Sequence, residues 1–491
     1  VGLLLRYAGV VKLGGADAGI TTSLTFIVNV LNSMSGIILP PGPKLSPLDG
    51  YLLATGRRDP LSFLLNASRD YGDVVHFRIG RQAIYLLNHP DFVKDVLVNN
   101  YQNFLKGRGI DRTDRIMGKG LLTSEGAFHR RQRQLINPAF HRQRIAVYGE
   151  AMVECATRLS AGWRDGQALE VADEMKRLTV SVVGKTLFDR ETEEEAGEIG
   201  AAMLAAMKGF KTFRLPAGDL LERVLPGNRR HKRAREKLEG FISRLIAEKR
   251  QSGEDRGDLI SMLLIAQQED AEGLMTDVQV RDEALTIFLT GHETSAQALT
   301  WTWYLLSQYP EVEARLHTEL DAALRGRLPN AGDMPRLKYT EMVFREAMRL
   351  YPPAWRVMRR AIADFSAGGY TIPAGSIVLL SPYVMHRDRR FFDDPMLFNP
   401  ERWASGARED VPQFCYFPFG AGPRRCIGEG FAWMEGVLLL STLAQRWRLR
   451  LAPGHQVSTQ PVIMLRPKNG MRMIAEQREA SHAYARAAAG I

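Results

Sequence analysis

Apolar and polar positions along the 491-residue chain follow two different periods. Val74-Val75-His76-Phe77-Arg78-Ile79-Gly80 and Ala83-Ile84-Tyr85-Leu86-Leu87 are short apolar runs around a turn, and they predict a hairpin. From about Pro90 to Pro353 apolar residues recur mostly at helical spacing. Breaks fall at Gly/Pro clusters such as Leu215-Pro216-Ala217-Gly218 and Leu225-Pro226-Gly227. Strand signals return over 370–379, and Phe414-Cys415-Tyr416-Phe417 is strand-like. A last helix is predicted from about Gly428 to Arg446, with short strands near 462–465 and 471–474. No internal repeat or Pro/Ser-rich linker divides the chain. The pattern predicts one large, mainly α domain with small β-sheets.

The ends behave differently. Residues 18–43 carry no charge, but Thr21, Thr22, Ser23, Thr25, Asn29, Asn32, Ser33 and Ser35 dilute the apolar run. It makes a poor membrane-spanning helix and a poor signal peptide. Residues 1–39 are expected to be an N-terminal extension, with 1–33, ahead of Met34, outside the fold. Residues 40–478 are expected to form the functional domain, and the Ala-rich 479–491 a frayed tail. Weak membrane association at most is expected.

Three cysteines cannot staple a chain of this length, so a reducing, cytoplasmic setting is expected. The net charge of +10 favours acidic partners. Two basic stretches carry much of it: Arg229 to Arg235, and His129 to Arg144 with Arg130, Arg131, Arg133, Arg142 and Arg144. The first has no interleaved aromatics, which argues against nucleic acid. No C-x-x-C pair and no G-x-S-x-G elbow occur. Gly184-Lys185-Thr186 lacks the earlier glycine of a phosphate loop, since Thr179 stands there. His292-Glu293 lacks the second histidine of a zinc-protease helix, since Ala296 stands there. Cofactor-driven chemistry is the class that remains.

Two segments carry that chemistry. Thr276-Asp277-Val278-Gln279 is a capping-box start, and helical pattern then runs to Gln308 before Pro310. Between Ala284 and Tyr309 the only formal charge is Glu293. A carboxylate in an apolar helix costs several kcal/mol unless paired or functional. Gly291-His292-Glu293-Thr294-Ser295 therefore reads as a local distortion with an acid beside a hydroxyl, against the plain alternative of a kink with Glu293 salt-bridged. The second segment is Phe419-Gly420-Ala421-Gly422-Pro423-Arg424-Arg425-Cys426-Ile427-Gly428. Its glycines let the backbone approach something flat and bulky. Cys426 precedes a helix and adjoins two arginines, which favours a thiolate, as nucleophile or metal ligand. Cys155 and Cys415 read as packing residues.

Phe419-x-x-Gly422-x-Arg424-x-Cys426-x-Gly428 resembles the haem-thiolate signature of the cytochrome P450 monooxygenases. Gly291-x-Glu293-Thr294, Glu346-Ala347-Met348-Arg349 and Phe398-Asn399-Pro400-Glu401-Arg402-Trp403 resemble three further motifs of that family, in its order. With Pro40–Pro43 and Asn137–Phe140, the resemblance spans about 40–475. It implies the P450 fold, one large helical domain with a minor β-rich lobe, and haem b held by Cys426, whose thiolate favours O–O cleavage. It implies that Phe419, Gly422 and Gly428 shape the sulfur's surroundings. Arg424, His129, Arg133 and Arg359 would reach the propionates. Glu293 and Thr294 would relay protons, and Glu346, Arg349 and Arg402 would form a structural charge cluster. Thr290 departs from the family's usual Ala or Gly and narrows the pocket. That pocket would be lined by Leu121, Leu122, Phe288, Leu289, Thr290, Ala354, Val357, Met358, Val462 and Ile463, an apolar set suited to a fatty acid, terpenoid or steroid-like substrate. Arg356 could meet a substrate carboxylate, or point to solvent or a propionate.

The implied activity is insertion of one oxygen atom from O2 into a C–H bond. Electrons would come from NAD(P)H through a separate ferredoxin or flavodoxin with its reductase, docking on the Arg130–Arg144 stretch with Arg425. A monomer is expected. The rival readings are a peroxide-dependent peroxygenase or isomerase, and a non-catalytic haem sensor; the acid–alcohol pair argues against both.

Overall fold

The computed structural model describes residues 38–55, 57–107, 117–188, 227–252, 258–270, 273, 275–406 and 411–478. The expectations for residues 1–37, for the break at 215–218 and for the tail from 479 lie outside these.

Six helices position the site: α1 (Gly126–Ile136), α2 (Arg142–Ala161), α3 (Val171–Phe188), α4 (Asp277–Gln308), α5 (Lys338–Leu350) and α6 (Glu429–Ala444). α4 has 32 residues, which is about 48 Å at the standard rise. It is buried on nearly every side, with Trp301 and Trp303 wholly enclosed. α3 lies along it, α5 and α6 pack against it, and α2 packs on α6. The helix is continuous through 291–295, so the expected distortion does not break it. The hydroxyls of Thr290 and Thr294 instead bond back to the carbonyls of Thr286 and Thr290, each at 2.8 Å. Half of the expected capping box forms: Thr276 accepts from the Gln279 N–H at 3.3 Å. The Gln279 amide turns away, to Lys119 O and Glu283.

The β-rich part is built from short strands. β1 (Val74–Ile79) and β2 (Gln82–Leu87) form the predicted hairpin, with Val74 opposite Leu87. With β3 (Phe104–Lys106), β5 (Val357–Ala361) and β8 (Ile377–Leu380) they make a five-stranded sheet ordered β1-β2-β8-β5-β3. β8 is wholly buried, as its Ile-Val-Leu-Leu run requires. A second sheet joins β4 (Ala168–Glu170), β12 (Arg472–Gln477) and β9 (Trp447–Leu451). β6 (Phe365–Ala367) pairs with β7 (Tyr370–Ile372), and β10 (Thr459–Pro461) with β11 (Leu465–Pro467).

Three local expectations are corrected. The strand signal over 370–379 is two strands, because Pro373-Ala374-Gly375 interrupts it. Residues 462–464 are the turn between β10 and β11. Residues 414–417 are not a strand: Phe414 sits at φ 69°, in the left-handed region that breaks an extended run.

Candidate active site

The cysteine loop hangs between the buried charge cluster and α6. In that cluster the Glu346 carboxylate accepts from Arg349 Nε and Nη2 at 2.9 and 2.8 Å, from Arg402 Nε at 2.8 Å and from Trp403 Nε1 at 2.8 Å. Arg349 also donates to the carbonyls of His386, Pro395 and Leu397. His386 carries the cluster to the loop. Its Nε2 accepts from the Phe417 N–H at 3.1 Å, which leaves Nδ1–H facing Arg349 O at 3.3 Å. Burial holds His386 well below the usual histidine range, so it stays neutral in this role.

Beyond Phe417 the loop folds on itself. Gly420 N–H donates to Phe417 O at 2.9 Å, and Cys426 N–H to Phe419 O at 3.0 Å. Gly422 has φ 66°, and a Cβ there would stand 2.0 Å from Leu97 O. No other residue fits. Cys426 as a residue is exposed, but its sulfur is desolvated. Burial pushes its thiol up to about 11, outweighing the Gly428 N–H, Arg133 and Arg425. α6 begins only at Glu429, and Arg425 is committed to Glu429 at 2.7 Å. Phe419 lies against Trp433, ring centroids 5.6 Å apart. Cys155 and Cys415 are buried, as expected of packing residues.

A cluster of cations faces the same interior. β3 and β5 set Lys106 directly opposite Arg359, a like-charge pair that a sheet disfavours. α1 brings His129 and Arg133 to one face, and Arg424 joins them from the loop. Burial and these neighbours push Lys106 down to about 6, Arg359 to about 10 and His129 to about 3. Glu125 is the acid in contact: it accepts from Lys106 N–H at 2.6 Å and pairs with Arg424. Arg424 Nη1 also holds Ser124 O at 2.7 Å. Ser124 Oγ and both polar atoms of Gln132 lie buried without a partner among the described residues.

α4 shows one partly exposed patch between Asp282 and Ala298, at Leu289, Thr290, Gly291 and Thr294. Glu293 is buried beside it. Its Oε1 accepts from Gln297 Nε2 at 3.0 Å and lies 2.9 Å from Arg466 Nε. Phe288 sits elsewhere, against Phe188 and His292 in the seam with α3. Leu121 is buried and Leu122 half-buried, in a segment held to α4: Asp282 accepts from Lys119 N–H and Glu283 from Leu121 N–H, each at 2.8 Å. Lys106 Nζ holds the carbonyls of Leu121 and Leu122. Ala354, Val357 and Met358 are half-buried on or beside β5, and Val462 and Ile463 form the hairpin turn. Arg356 stacks over Trp355, 4.4 Å from the ring centroid.

Lys106, Glu125, Glu283, His386, Arg466 and Glu435 were not singled out by sequence pattern. Glu435 on α6 is buried with neither oxygen in an aligned hydrogen bond. Burial pushes it up to about 8, and nearby Ser295 offsets this only in part. An acid in an apolar helix was the available signal, the same one that marked Glu293.

The cytochrome P450 family model matches residues 40–473. The chain belongs to the cytochrome P450 family. It is similar to cyclooctatin synthase of Streptomyces melanosporofaciens, 40% identical over 435 residues, covering 88% of this chain and 94% of that protein. Cyclooctat-9-en-7-ol 5-monooxygenase of the same organism is 38% identical over 414 residues, covering 84% and 90%. Pentalenene oxygenase of Streptomyces avermitilis is 34% identical over 417 residues, covering 84% and 92%. The protein is accordingly a monooxygenase, an oxidoreductase that incorporates oxygen from O2 with a cysteine-ligated haem. No helix among the described residues is long and apolar enough to cross a membrane.

Proposed function

We propose that this P450 hydroxylates a cyclic terpenoid, with Cys426 as the haem ligand and Glu293 and Thr294 as the proton relay. The substrate class rests on the relatives, whose names include a pentalenene oxygenase and a cyclooctat-9-en-7-ol 5-monooxygenase.

The residues present suit a haem. Arg133, Arg359 and Arg424 stay charged and outnumber Glu125, so two carboxylates fit among them, with the neutral His129 beside them. The unpartnered Ser124 and Gln132 lie in the same segment as Glu125 and His129. Gly422 lets the loop press on Leu97, where a Cβ would stand 2.0 Å from the carbonyl oxygen. A haem held there would supply dioxygen activation: with two electrons and two protons, one oxygen atom would go into a C–H bond and the other would leave as water.

The protein's own part is binding, drying and proton supply. Cys426 would hold the metal as its thiolate, and the Gly428 N–H, Arg133 and Arg425 would stabilise that charge. Thr294 lies on the partly exposed patch of α4, one residue from the buried Glu293; its hydroxyl donates to Thr290 O at 2.8 Å in this structure, and passing a proton from the interior acid to this alcohol requires that bond to be exchanged. Thr290, one turn earlier, likewise donates its hydroxyl to Thr286 O.

The observation that carries this reading is the coincidence of the acid–alcohol pair with that accessible patch on an otherwise buried helix. Electrons are assigned to a ferredoxin or flavodoxin with its reductase. The exposed Arg130, Arg142 and Arg144 are the docking face, since Arg131 is committed to Asp270 and Arg133 faces inward to Cys426. The test is Glu293→Gln and Thr294→Ala. Product formation is expected to fall roughly 10²- to 10⁴-fold, the usual worth of a positioned proton-transfer group, while NAD(P)H consumption continues and hydrogen peroxide is released. Unchanged product per NAD(P)H, or faster turnover on peroxide than on the redox partner, would overturn the assignment.

A further inference from the structure

The buried acid of the relay has a partner that comes from the far end of the chain. Arg466 lies on β11, 173 positions after Glu293, and its Nε is 2.9 Å from Glu293 Oε1. The contact is held by charge more than by an aligned bond: Arg466 Nε is buried, and no acceptor meets its N–H in good geometry. The aligned donor on the same oxygen is Gln297 Nε2, one turn along α4. The other titratable groups around this point are His292, which burial keeps uncharged, and Lys176 on α3.

The support behind Arg466 is rigid. Register places Arg466 opposite Gln460 and Leu465 opposite Pro461. Leu465 O accepts from Trp301 Nε1 at 2.9 Å, and Trp301 lies eight residues along α4 from Glu293, about 12 Å at the helical rise. Leu465 N–H donates to Pro353 O at 3.0 Å. Val462 O accepts from Trp355 Nε1 at 3.3 Å. The hairpin is thus bolted to the helix that carries the relay and to the segment that leads into β5. Its turn, with Ile463 exposed, is the part left to meet substrate.

We propose that Arg466 is a positioning residue for Glu293, through which the last hairpin fixes where the relay carboxylate points. It does not touch the reacting atoms. A carboxylate tethered on one oxygen by charge and by Gln297 is held on the hairpin side of α4, and its remaining freedom is the swing toward Thr294. Without Arg466 the carboxylate loses its cation and its direction together. The inference rests on Glu293 being the relay acid, and the experiment separates the two claims.

The experiment needs no substrate. Haem-loaded protein is reduced with NAD(P)H through a ferredoxin and its reductase, and the O2 consumed is partitioned between its products. Two electrons and two protons give hydrogen peroxide; four electrons and four protons give water, so the water branch depends on proton delivery. Arg466→Gln is expected to raise the ratio of peroxide to water about tenfold, below the 10²- to 10⁴-fold worth of an intact proton-transfer group. Arg466→Lys is expected to restore most of it. Glu293→Gln is expected to raise the ratio at least as far, and adding Arg466→Gln to it to do nothing more. A second readout is free of turnover: in urea unfolding, the two substitutions are expected to be clearly non-additive. If Glu293→Gln raises the ratio and Arg466→Gln does not, Arg466 has no positioning role. If Glu293→Gln leaves the ratio unchanged, the relay reading itself fails. Additive unfolding effects would show that the pair does not interact.

Discussion

Glu346→Gln is the sharpest test of how the cysteine loop is held. The wild-type carboxylate receives two bonds from Arg349, one each from Arg402 and Trp403, and a backbone N–H from Asn399 at 3.2 Å. Arg349 has no exposed surface, so the variant leaves a buried guanidinium without its counter-charge. Breaking such a pair from one side costs about 3–5 kcal/mol, a large part of the ~5–15 kcal/mol that holds a typical domain together. Arg402→Gln should cost less, on the order of 1.5–3 kcal/mol for one charged hydrogen bond, because Glu346 keeps Arg349 and Trp403. The assay is urea unfolding followed by tryptophan fluorescence, with the fraction of haem-loaded protein recorded alongside. The expected order is Glu346→Gln well below Arg402→Gln, and both below wild type, in midpoint and in haem content, since His386 and Phe417 transmit the damage to the loop. A loss under about 1 kcal/mol for Glu346→Gln, or the reverse order, would refute the reasoning.

Two further outcomes follow from the same structure. Glu435 holds its proton up to about pH 8 in the folded chain but only to about 4.5 when unfolded, so its contribution to stability declines as pH rises through that window. Glu435→Gln should remove this decline, worth on the order of a few kcal/mol, and a melting-temperature comparison at pH 5 and pH 8 checks it; an unchanged difference between the two pH values contradicts it. Replacing Arg130, Arg142 and Arg144 together by glutamine should slow the first reduction by a ferredoxin and flatten its salt dependence, read by stopped-flow absorbance. Unchanged kinetics would rule out that docking face.

Much of this was legible in the sequence because the informative signals are local. The hairpin 74–87 follows from two apolar runs around a turn, and α4 from a capped helical run carrying one acid. The Phe419–Gly428 segment has Gly422 where the backbone must press on Leu97. What was not legible depends on distant parts meeting. Arg466 is one of many arginines until the hairpin folds onto α4. Lys106 has no motif, and its setting arises only when β3 pairs with β5 and loop 117–125 closes over it. Phe414–Phe417 has strand composition, yet the tether from Phe417 to His386 and the left-handed Phe414 make it a turn.

The central claim is that Cys426 is the haem ligand, and the carbon monoxide difference spectrum of the reduced protein tests it most directly. Wild-type protein is predicted to give the thiolate-type carbonyl band, and Cys426→His to lose that band while Cys155→Ala and Cys415→Ala keep it. A thiolate-type spectrum that survives in Cys426→His would contradict the account.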